Sequence, residues 1–270
     1  MSEQNTLYEQ ITQQVMQEVT KRLQNSSAAT NAPSTITPSK MPGMPEFVGV
    51  GMGDTIGLVI ANIDASLKKV LRIPDEYSAI GILGGRTGAG PQIMAIDEAV
   101  KATNSEVISV ELPRDTKGGA GHGSLIIIGA HDVADARRGI EVALAQLPRT
   151  FGDVYANDAG HLEFQYTARA SLACNKAFGA PLNRAFGIIV GAPAAIGVLM
   201  ADVAVKCATV DVVACATPQH GQSYSNETTL LISGDSGAVK QAIMAARDTG
   251  LVLLEALGGK APSASEPYIQ

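Results

Sequence analysis

The sequence predicts an α+β fold made of two tandem copies of one domain. Segments of the second half repeat segments of the first at an offset of 105 residues: DEAVKATNSEVISV, which starts at Asp97, returns as DVAVKCATVDVVAC, which starts at Asp202. Within each copy, short apolar runs typical of strands alternate with longer stretches that have the periodicity of helices. One long period of this kind indicates a duplicated domain rather than a solenoid.

The repeat keeps this register over further segments. The matching pairs are residues 100–101 with 205–206, 125–127 with 230–232, Gly129 with Gly234, and 66–67 with 171–172. With a boundary near Arg149, we expect a first domain at 46–149 and a second at 150–259. An N-terminal segment, 1–45, and a C-terminal tail, 260–270, flank the two domains.

In the first copy the elements follow one another as strand, helix, strand, helix, two strands and a helix. They are TIGLVIAN, ASLKKVLR, YSAIGILG, PQIMAIDEAVKATN, EVISVEL, SLIIIG and VADARRGIEVALAQL. Asp64 and Asp132 stand directly before the first and last helices, where aspartate commonly caps a helix N-terminus. The two consecutive strands are joined by a loop without a helix, so they cannot form a parallel crossover and must be antiparallel. We therefore predict an α+β sandwich rather than a doubly wound parallel sheet.

The N-terminal segment has a pattern of its own. In LYEQITQQVMQEVTKRL an apolar residue recurs at every fourth position, and this stripe consists of Leu7, Ile11, Val15, Val19 and Leu23. The pattern predicts a short amphipathic helix, and the Ser-, Thr-, Ala- and Pro-rich residues after it indicate a flexible linker. The helix either docks into a groove of a partner or is a frayed tail, and the sequence leaves both interpretations open.

Composition excludes several classes of partner. The 270-residue chain has a formal net charge of -6 and no Lys/Arg cluster, so neither nucleic acid nor an anionic membrane is an expected partner. No apolar stretch has the length of a membrane span, and the N-terminus lacks the pattern of a signal peptide. Cys174, Cys207 and Cys215 lack the spacing of a disulfide framework or a zinc site, so we expect no metal site and a cytoplasmic location.

A glycine-rich turn provides the main alternative. GILGGRTGAGPQIM places Gly85, Gly88 and Gly90 between a strand and a helix, with Glu111 about twenty residues further on, which is close to a Rossmann dinucleotide fingerprint. The spacing is not GxGxxG, however, and the second copy has Cys215 where the acid would stand. The competing interpretation is a tight turn packed against a neighbouring subunit.

The sequence contains no recognisable catalytic constellation. The four histidines are His122, His131, His161 and His220. They are not accompanied by a nucleophile elbow or an HExxH motif. Asp97 with Lys101, and Asp202 with Lys206, have the spacing of ordinary i,i+4 ion pairs on a helix. We expect a protein without catalytic residues and without a cofactor.

The two hairpin loops differ although the elements around them match. The first copy has PRDTKGGAGHGS and the second has TPQHGQSYSNE at the same place in the repeat. Divergence at one place on a shared scaffold favours a functional role for the loops, while free drift of two surface loops is the alternative.

These features resemble the bacterial microcompartment shell domain, here present twice. The resemblance rests on the DxAVKA…NxEV arrangement, the Gly/Ser-rich loop and the apolar strand after it. More narrowly, GDTIGLVIAN, GILGGRTGAGP, ELPRDTKGGAGHGSLIIIG and IIVGAPAAIGVLMAD resemble the tandem-domain shell proteins of propanediol-utilisation microcompartments, and the resemblance covers nearly all of residues 46–270. It implies two circularly permuted, ferredoxin-like α/β sandwich domains in a structural protein of the shell, not an enzyme.

The resemblance also implies how the protein assembles. Three chains would form a pseudo-hexameric homotrimer that tiles edge to edge with other shell proteins, with Lys101 and Lys206 at the lateral edge. The edge arginine of simpler relatives has no counterpart, because Asn62 and Thr167 stand near its place. The N-terminal stripe, Leu7 to Leu23, would anchor encapsulated enzymes.

Pores for small polar metabolites are the last implication of the resemblance. A small diol, such as glycerol or 1,2-propanediol, would pass through openings surrounded by the hairpin loops. The expected lining residues are Gly118, Gly119, Ala120, Gly121, His122, Gly123, Ser124, Pro218, Gln219, His220, Gly221, Gln222, Ser223, Tyr224, Ser225 and Asn226. Two other classes of protein stay open as alternatives: a Rossmann-type nucleotide-binding enzyme, and a soluble diol-binding or scaffolding module that never forms sheets.

Overall fold

The described part of the chain forms two five-stranded sheets and six helices. The computed structural model describes residues 44–113, 123–220 and 225–270. The first half contains β1 (Phe47–Gly51), β2 (Thr55–Ile60), α1 (Ala65–Leu71), β3 (Ala79–Gly85), α2 (Ala89–Lys101), β4 (Ser105–Glu111), β5 (Ser124–Ala130) and α3 (Val133–Thr150). The second half contains β6 (Val154–Asn157), β7 (Gly160–Thr167), α4 (Leu172–Phe178), β8 (Ala185–Ala192), α5 (Ala194–Cys207), β9 (Val210–Ala216), β10 (Thr228–Gly234) and α6 (Ser236–Gly258).

The two sheets have the same strand order. It is β1-β2-β3-β5-β4 in the first half and β6-β7-β8-β10-β9 in the second. Every strand pair among these elements is antiparallel. The predicted duplication and the predicted hairpin of β4 with β5 are therefore confirmed. The Rossmann alternative is wrong, because that fold requires parallel strands joined by crossover helices.

Local sequence explains where the helices begin. The Asp64 carboxylate accepts a hydrogen bond from the Ser66 N–H at 2.9 Å, and the Asp132 carboxylate accepts one from the Asp135 N–H at 2.9 Å. Both predicted N-caps are thus confirmed. The outer strands β1 and β6 were not predicted, since FVGVG is rich in glycine and VYAN has only four residues, so neither carries a strong strand pattern.

The structural repeat does not keep the single offset of 105 residues. That offset holds from α2 to α5 and from β4 to β9, but α1 and α4 begin 107 residues apart, at Ala65 and Leu172. Strands β5 and β10 begin 104 residues apart, so Gly234 pairs with Ala185 as Ala130 pairs with Ala79. The predicted matches of Gly129 with Gly234 and of 66–67 with 171–172 are therefore wrong, because unequal loops shift the register between elements.

Small residues let the long helices approach each sheet closely. A Cβ at Gly81 would lie 2.7 Å from Ile140 of α3, and a Cβ at Gly187 would lie 2.8 Å from Ile243 of α6. These glycines are equivalent in β3 and β8, so both halves use the same device to bury their apolar helix faces. None of the described helices is both long and apolar enough to cross a bilayer.

The C-terminal residues pack onto the second half. The Asp153 carboxylate, which is buried, accepts hydrogen bonds from the backbone N–H groups of Tyr268 and Ile269 at 2.8 and 3.0 Å. Arg247 of α6 forms an ion pair with Asp153 at 2.8 Å, and the Ile269 side chain is fully buried in the second core. Within the predicted C-terminal tail, 260–270, Ala261 and Ile269 therefore belong to the core of the second half.

Candidate functional site

The first hairpin loop is closed at its base. The Gly123 N–H donates to the Pro113 carbonyl at 3.0 Å, and a Cβ at Gly123 would lie 2.8 Å from the Gly85 carbonyl oxygen, so a larger residue would displace the backbone. Gly123 and Ser124 are buried within the chain. The other predicted lining residues of this loop, 118–122, lie outside the described residues.

The second hairpin loop has a turn at its start and a capping contact at its end. Thr217 and His220 exchange two backbone hydrogen bonds of 2.9 and 3.1 Å around the predicted lining residue Pro218. The Ala194 N–H donates to the Asn226 side-chain oxygen at 3.2 Å, which fixes the end of the loop to the start of α5. The exposed members of the predicted lining are Gln219, His220, Ser225 and Asn226. Residues 221–224 lie outside the described residues, as does the predicted anchoring stripe at 7–23.

The two halves of the chain meet in a continuous hydrophobic core. Helix α4 of the second half packs on α2 and β4 of the first, and α2 also packs on β7. The buried cluster at this junction includes Ile93 and Met94 from α2 together with Ala173, Cys174 and Ile188 from the second half. Burial of this apolar surface is the main source of stability at the junction.

Asp97 forms a polar latch inside this junction. Its side chain is fully buried and accepts hydrogen bonds from the Lys101 ammonium at 2.6 Å and from the Ser171 N–H at 2.8 Å. The Thr167 hydroxyl and the Cys174 thiol also donate to it, each at 3.4 Å. Burial, reinforced by Asp97, raises the pKa of the Cys174 thiol. The latch thus joins α2 of the first half to the start of α4 in the second.

The two predicted edge lysines lie in different surroundings. Lys101 donates to Asp97 and, at 3.2 Å, to the Thr167 hydroxyl of the other half, so it belongs to the junction. Burial opposes its charge, but Asp97 and Glu98 outweigh burial and raise the pKa of the ammonium. Lys206 contacts Asp202 at 2.7 Å and is exposed. A place at the lateral edge of a disc stays a prediction for both.

The outer face of α5 is exposed, whereas the equivalent face of α2, which includes Asp97, is buried. Asp97 is 0% exposed at its side chain and Asp202 is 48% exposed. Met94 is 3% exposed, whereas Leu199 at the same place on α5 is 44% exposed. Val198 and Val205, which match Ile93 and Val100, are also exposed. The second half therefore presents the same kind of surface that the first half buries.

Helix α1 is likewise exposed, whereas the equivalent helix α4 is partly buried. None of its residues is buried, and Leu67 and Val70 are exposed, whereas α4 buries Ala173 and Cys174. Ile56, which matches Glu163 in the structural repeat, is also exposed on the sheet next to α1. The chain thus has one formed junction and, on α5 and α1, exposed surfaces that correspond to the two sides of that junction.

A small cavity at the formed junction contains two buried carboxyl groups. The cavity has a volume of about 50 Å³ and is lined by Ala89, Gly90, Leu112, Glu163, Phe178, Ile188, Val190, Glu227 and Thr229. Glu163 is 3% and Glu227 is 2% exposed. The His161 Nε2 atom lies 3.3 Å from the Glu227 carboxylate. Burial, reinforced by the neighbouring Glu227, raises the pKa of Glu163 from 4.5 to about 8.

This acid pair was not predicted from the sequence. The signal that could have revealed Glu163 is the stretch LEFQYT, in which the acid shares one strand face with Gln165, a residue that is itself buried. No pattern places Glu227 beside it, because the two residues come together only when β7 and β10 pair with β8.

The glycine-rich turn has a structural role at the same junction. Gly88 is the N-cap of α2 and has a φ of 75°, in the left-handed region that favours glycine. A Cβ at Gly90 would overlap the Glu163 carboxyl oxygen of the second half. The turn therefore packs against the other half of its own chain, whereas a neighbouring subunit was the predicted contact.

Comparison with known proteins agrees with this architecture. The sequence pattern of the BMC domain matches residues 79–158 and 185–258. The bacterial microcompartment shell protein PduB of Citrobacter freundii is 59% identical over 267 residues, which cover 98% of this chain and 99% of that protein. The chain belongs to the bacterial microcompartment shell proteins. In each half the match begins at the third strand of the half, β3 or β8, so β2–α1 and β7–α4 precede it, as the circularly permuted order requires.

Solved structures of shell proteins have the same fold. A crystal structure described as a trimeric bacterial microcompartment shell protein PduB superposes with a TM-score of 0.80 at 55% identity, and covers 83% of this chain and 100% of its own. The structure of EtuB from Clostridium kluyveri superposes with a TM-score of 0.81 at 54% identity, and covers 84% of this chain and 100% of its own. The Citrobacter freundii relative and the trimeric PduB structure are both described as shell proteins, so the chain is a structural component of a microcompartment shell and not an enzyme.

Proposed function

We propose that the chain forms pseudo-hexameric homotrimers that tile into the facets of a microcompartment shell and pass small polar metabolites. The observation that carries this proposal is the pair of exposed surfaces formed by the outer face of α5 and by helix α1. Each matches one side of the junction already formed within the chain. Repeating that junction between chains gives a ring in which junctions within and between chains alternate, and such a ring closes with cyclic symmetry.

The contacts within the chain predict those between chains. Asp97 accepts the N–H of Ser171, the N-cap of α4, and Asp64 is the equivalent N-cap of α1. Asp202 of one copy would therefore accept the Asp64 N–H of the next copy. Leu199 would pack where Met94 packs, against Leu67 of the next copy in place of Cys174. The trimeric state of the related PduB structure supports three copies in the ring.

The solution mass of two variants tests this assembly. Leu199→Asp puts a charge on the uncovered face of α5 and should leave monomers at concentrations where the unchanged chain is trimeric, because an unpaired charge is costly to bury. Val252→Asp is the matched control, since Val252 is an exposed valine on α6 and not on α5, and should stay trimeric. Electron microscopy of the same samples should show flat sheets for the unchanged chain and the control only. A monomeric unchanged chain, or a trimeric Leu199→Asp variant, would contradict the proposed junction.

The hairpin loops are the proposed pore lining. They leave equivalent strands, β4 and β9, at the same edge of their sheets, so six loops would lie on one side of a ring of three chains. The exposed polar groups of Gln219, His220 and Asn226 suit passage of a small diol such as glycerol or 1,2-propanediol. In shells built with Gln219→Trp, consumption of the diol by enclosed enzymes should slow, while Gln241→Trp on the exposed side of α6 should not change it. Equal rates for the two variants would argue against passage past this loop.

The N-terminal stripe is the proposed anchor for enclosed enzymes. Its support is the sequence pattern alone, an apolar stripe followed by a long polar linker. Deletion of residues 1–45 should leave the protein trimeric. It should reduce the amount of enzyme that copurifies with shells. Loss of the trimer itself would show that these residues have a different role.

A further inference from the structure

The acid-lined cavity occurs at only one of the two kinds of junction. In the structural repeat, Glu163 corresponds to Ile56 and Glu227 to Gly123, as the pairing of β7 and β10 with β8 matches that of β2 and β5 with β3. Gly90, which lies against Glu163, corresponds to Ala195 on α5. A junction between chains would therefore have an isoleucine and an alanine where the junction within the chain has a carboxyl group and a glycine.

We propose that the Glu163 carboxyl makes the junction within each chain a pH-sensitive contact. In its neutral form the carboxyl packs against the Gly90 backbone in a small cavity lined mainly by apolar side chains. Loss of its proton places a negative charge beside a second carboxyl group, where water must enter to solvate it. The first turn of α2 then loosens from β7. This inference concerns a contact inside one chain, so it does not depend on the proposed trimer or pores.

The groups around Glu163 favour its neutral form. The titratable groups on the elements packed around it are His161 and Tyr166 on β7, Tyr155 on β6 and Asp153 before it, Glu227 before β10, Asp97, Glu98 and Lys101 on α2 and Arg86 before it, Glu106 and Glu111 on β4, Cys174 and Lys176 on α4, and Tyr268 near the C-terminus. Strand β8 has none. Lys101 is bonded to Asp97 and Glu98 at the far end of α2, and Lys176 donates to the Ile108 carbonyl at 3.0 Å. Only Gln165 lowers the pKa of Glu163, and burial and Glu227 outweigh it.

The sign of the effect follows from the pKa in the folded and unfolded chain. The pKa of Glu163 is about 8 in the folded chain and 4.5 for the free side chain. The folded state therefore binds a proton that the unfolded state releases, and stability is lost as the pH rises from 4.5 towards 8.

The cavity lies at the base of both hairpin loops. Leu112, which lines it, comes directly before the first loop, and Glu227, which also lines it, directly follows the second. Asn226, next to Glu227, is fixed to the first residue of α5 by its side chain. A change at the cavity therefore acts on the chain where the loops are attached, although it leaves the sheets intact.

Hydrogen exchange of the full-length chain tests the proposal. Exchange is measured at about pH 6 and about pH 9 and corrected for the intrinsic pH dependence of amide exchange. We expect the protection of the first two turns of α2 to fall by about tenfold at the higher pH. In Glu163→Gln, which keeps a neutral group of the same size, this fall should disappear. The last two turns of α5 serve as an internal control and should not lose protection in either protein.

Two controls keep the outcome decisive. Glu141→Gln removes an exposed acid on α3 and should behave as the unchanged chain does. If Glu163→Gln does not fold, infrared spectroscopy of the unchanged chain replaces it, with a protonated-carboxyl band expected at about pH 7 and lost towards about pH 9. Constant protection in the unchanged chain, an equal fall in Glu163→Gln, or the absence of that band would each overturn the proposal.

Discussion

Helices α2 and α5 occupy equivalent places in the two halves, yet only α2 has its outer face covered. The covered face has polar groups that need partners, namely Asp97 with its four donors and the glycine turn that faces Glu163. The uncovered face of α5 has mainly apolar groups, such as Val198 and Leu199. The chain thus has more polar contacts at the junction between its own covalently linked halves than its α5 face offers for a junction between chains. An apolar surface suits the junction that must form by association, since fewer buried polar groups depend on exact partners.

The largest difference in the loss of unfolding free energy is expected between substitutions of Asp97 and of Asp202. Asp97→Ala leaves the Lys101 ammonium and the Ser171 N–H without their acceptor and should lower the free energy of unfolding by about 3 kcal/mol. Asp202→Ala removes an exposed i,i+4 pair and should lower it by less than about 0.5 kcal/mol. Both are measured by urea unfolding in the Leu199→Asp background, so that association does not contribute. Equal losses would show that the latch does not stabilise the junction.

An intermediate difference in the loss of unfolding free energy is expected between substitutions of Gly90 and of Ala195. Gly90→Ala introduces a Cβ that overlaps the Glu163 carboxyl, and overpacking of this kind should cost about 1–3 kcal/mol in the free energy of unfolding. The equivalent Ala195→Gly removes a methyl group from the exposed start of α5 and should cost about 1 kcal/mol or less. Thermal unfolding at one protein concentration distinguishes them. The double variant Gly90→Ala/Glu163→Ala should recover stability relative to Gly90→Ala, and a further loss would contradict the overlap.

The smallest difference is expected between the caps of α1 and α4. Loss of a capping side chain costs about 1 kcal/mol, so Asp64→Ala and Ser171→Ala should have similar effects on helix stability. In a monomer, however, α1 has no buried residues to hold it, so Asp64→Ala should reduce the hydrogen-exchange protection of α1 alone. Ser171→Ala should instead reduce the stability of the whole chain, because α4 is part of the junction core. Global destabilisation by Asp64→Ala would mean that α1 contributes more to the core than its exposure indicates.

Sequence patterns predicted the elements well where periodicity was strong. The helices capped by Asp64 and Asp132, and the hairpin of β4 with β5, follow from local rules that operate within a few residues. The outer strands β1 and β6 were missed, because two glycines or a length of four residues leave too little pattern. The repeat itself was recognised, but matching letters misplaced β5 against β10 by one residue. Such a shift reverses which side chains face the core.

The junction could not be predicted from the sequence in the same way. Lys101 and Asp97 have the spacing of an ordinary surface pair, and only the position of Ser171, 74 residues further along the chain, makes Asp97 a buried latch. Glu163 and Glu227 come together through strand pairing across β8. Contacts of this kind depend on how two halves pack, and neither half contains the information alone. Family resemblance predicted the shell fold, but the roles of individual residues at the junction required the structure.

The hydrogen bonds that the Asp153 carboxylate accepts from Tyr268 and Ile269 bear on the order of folding. The core of the second half is complete only when Ile269 is in place and Asp153 has received the N–H groups of Tyr268 and Ile269. These two residues are synthesised after every helix and strand of the second half, so that core is completed late, while the elements of the first half can already pair. The two halves are therefore expected to acquire their cores in sequence, the first before the second.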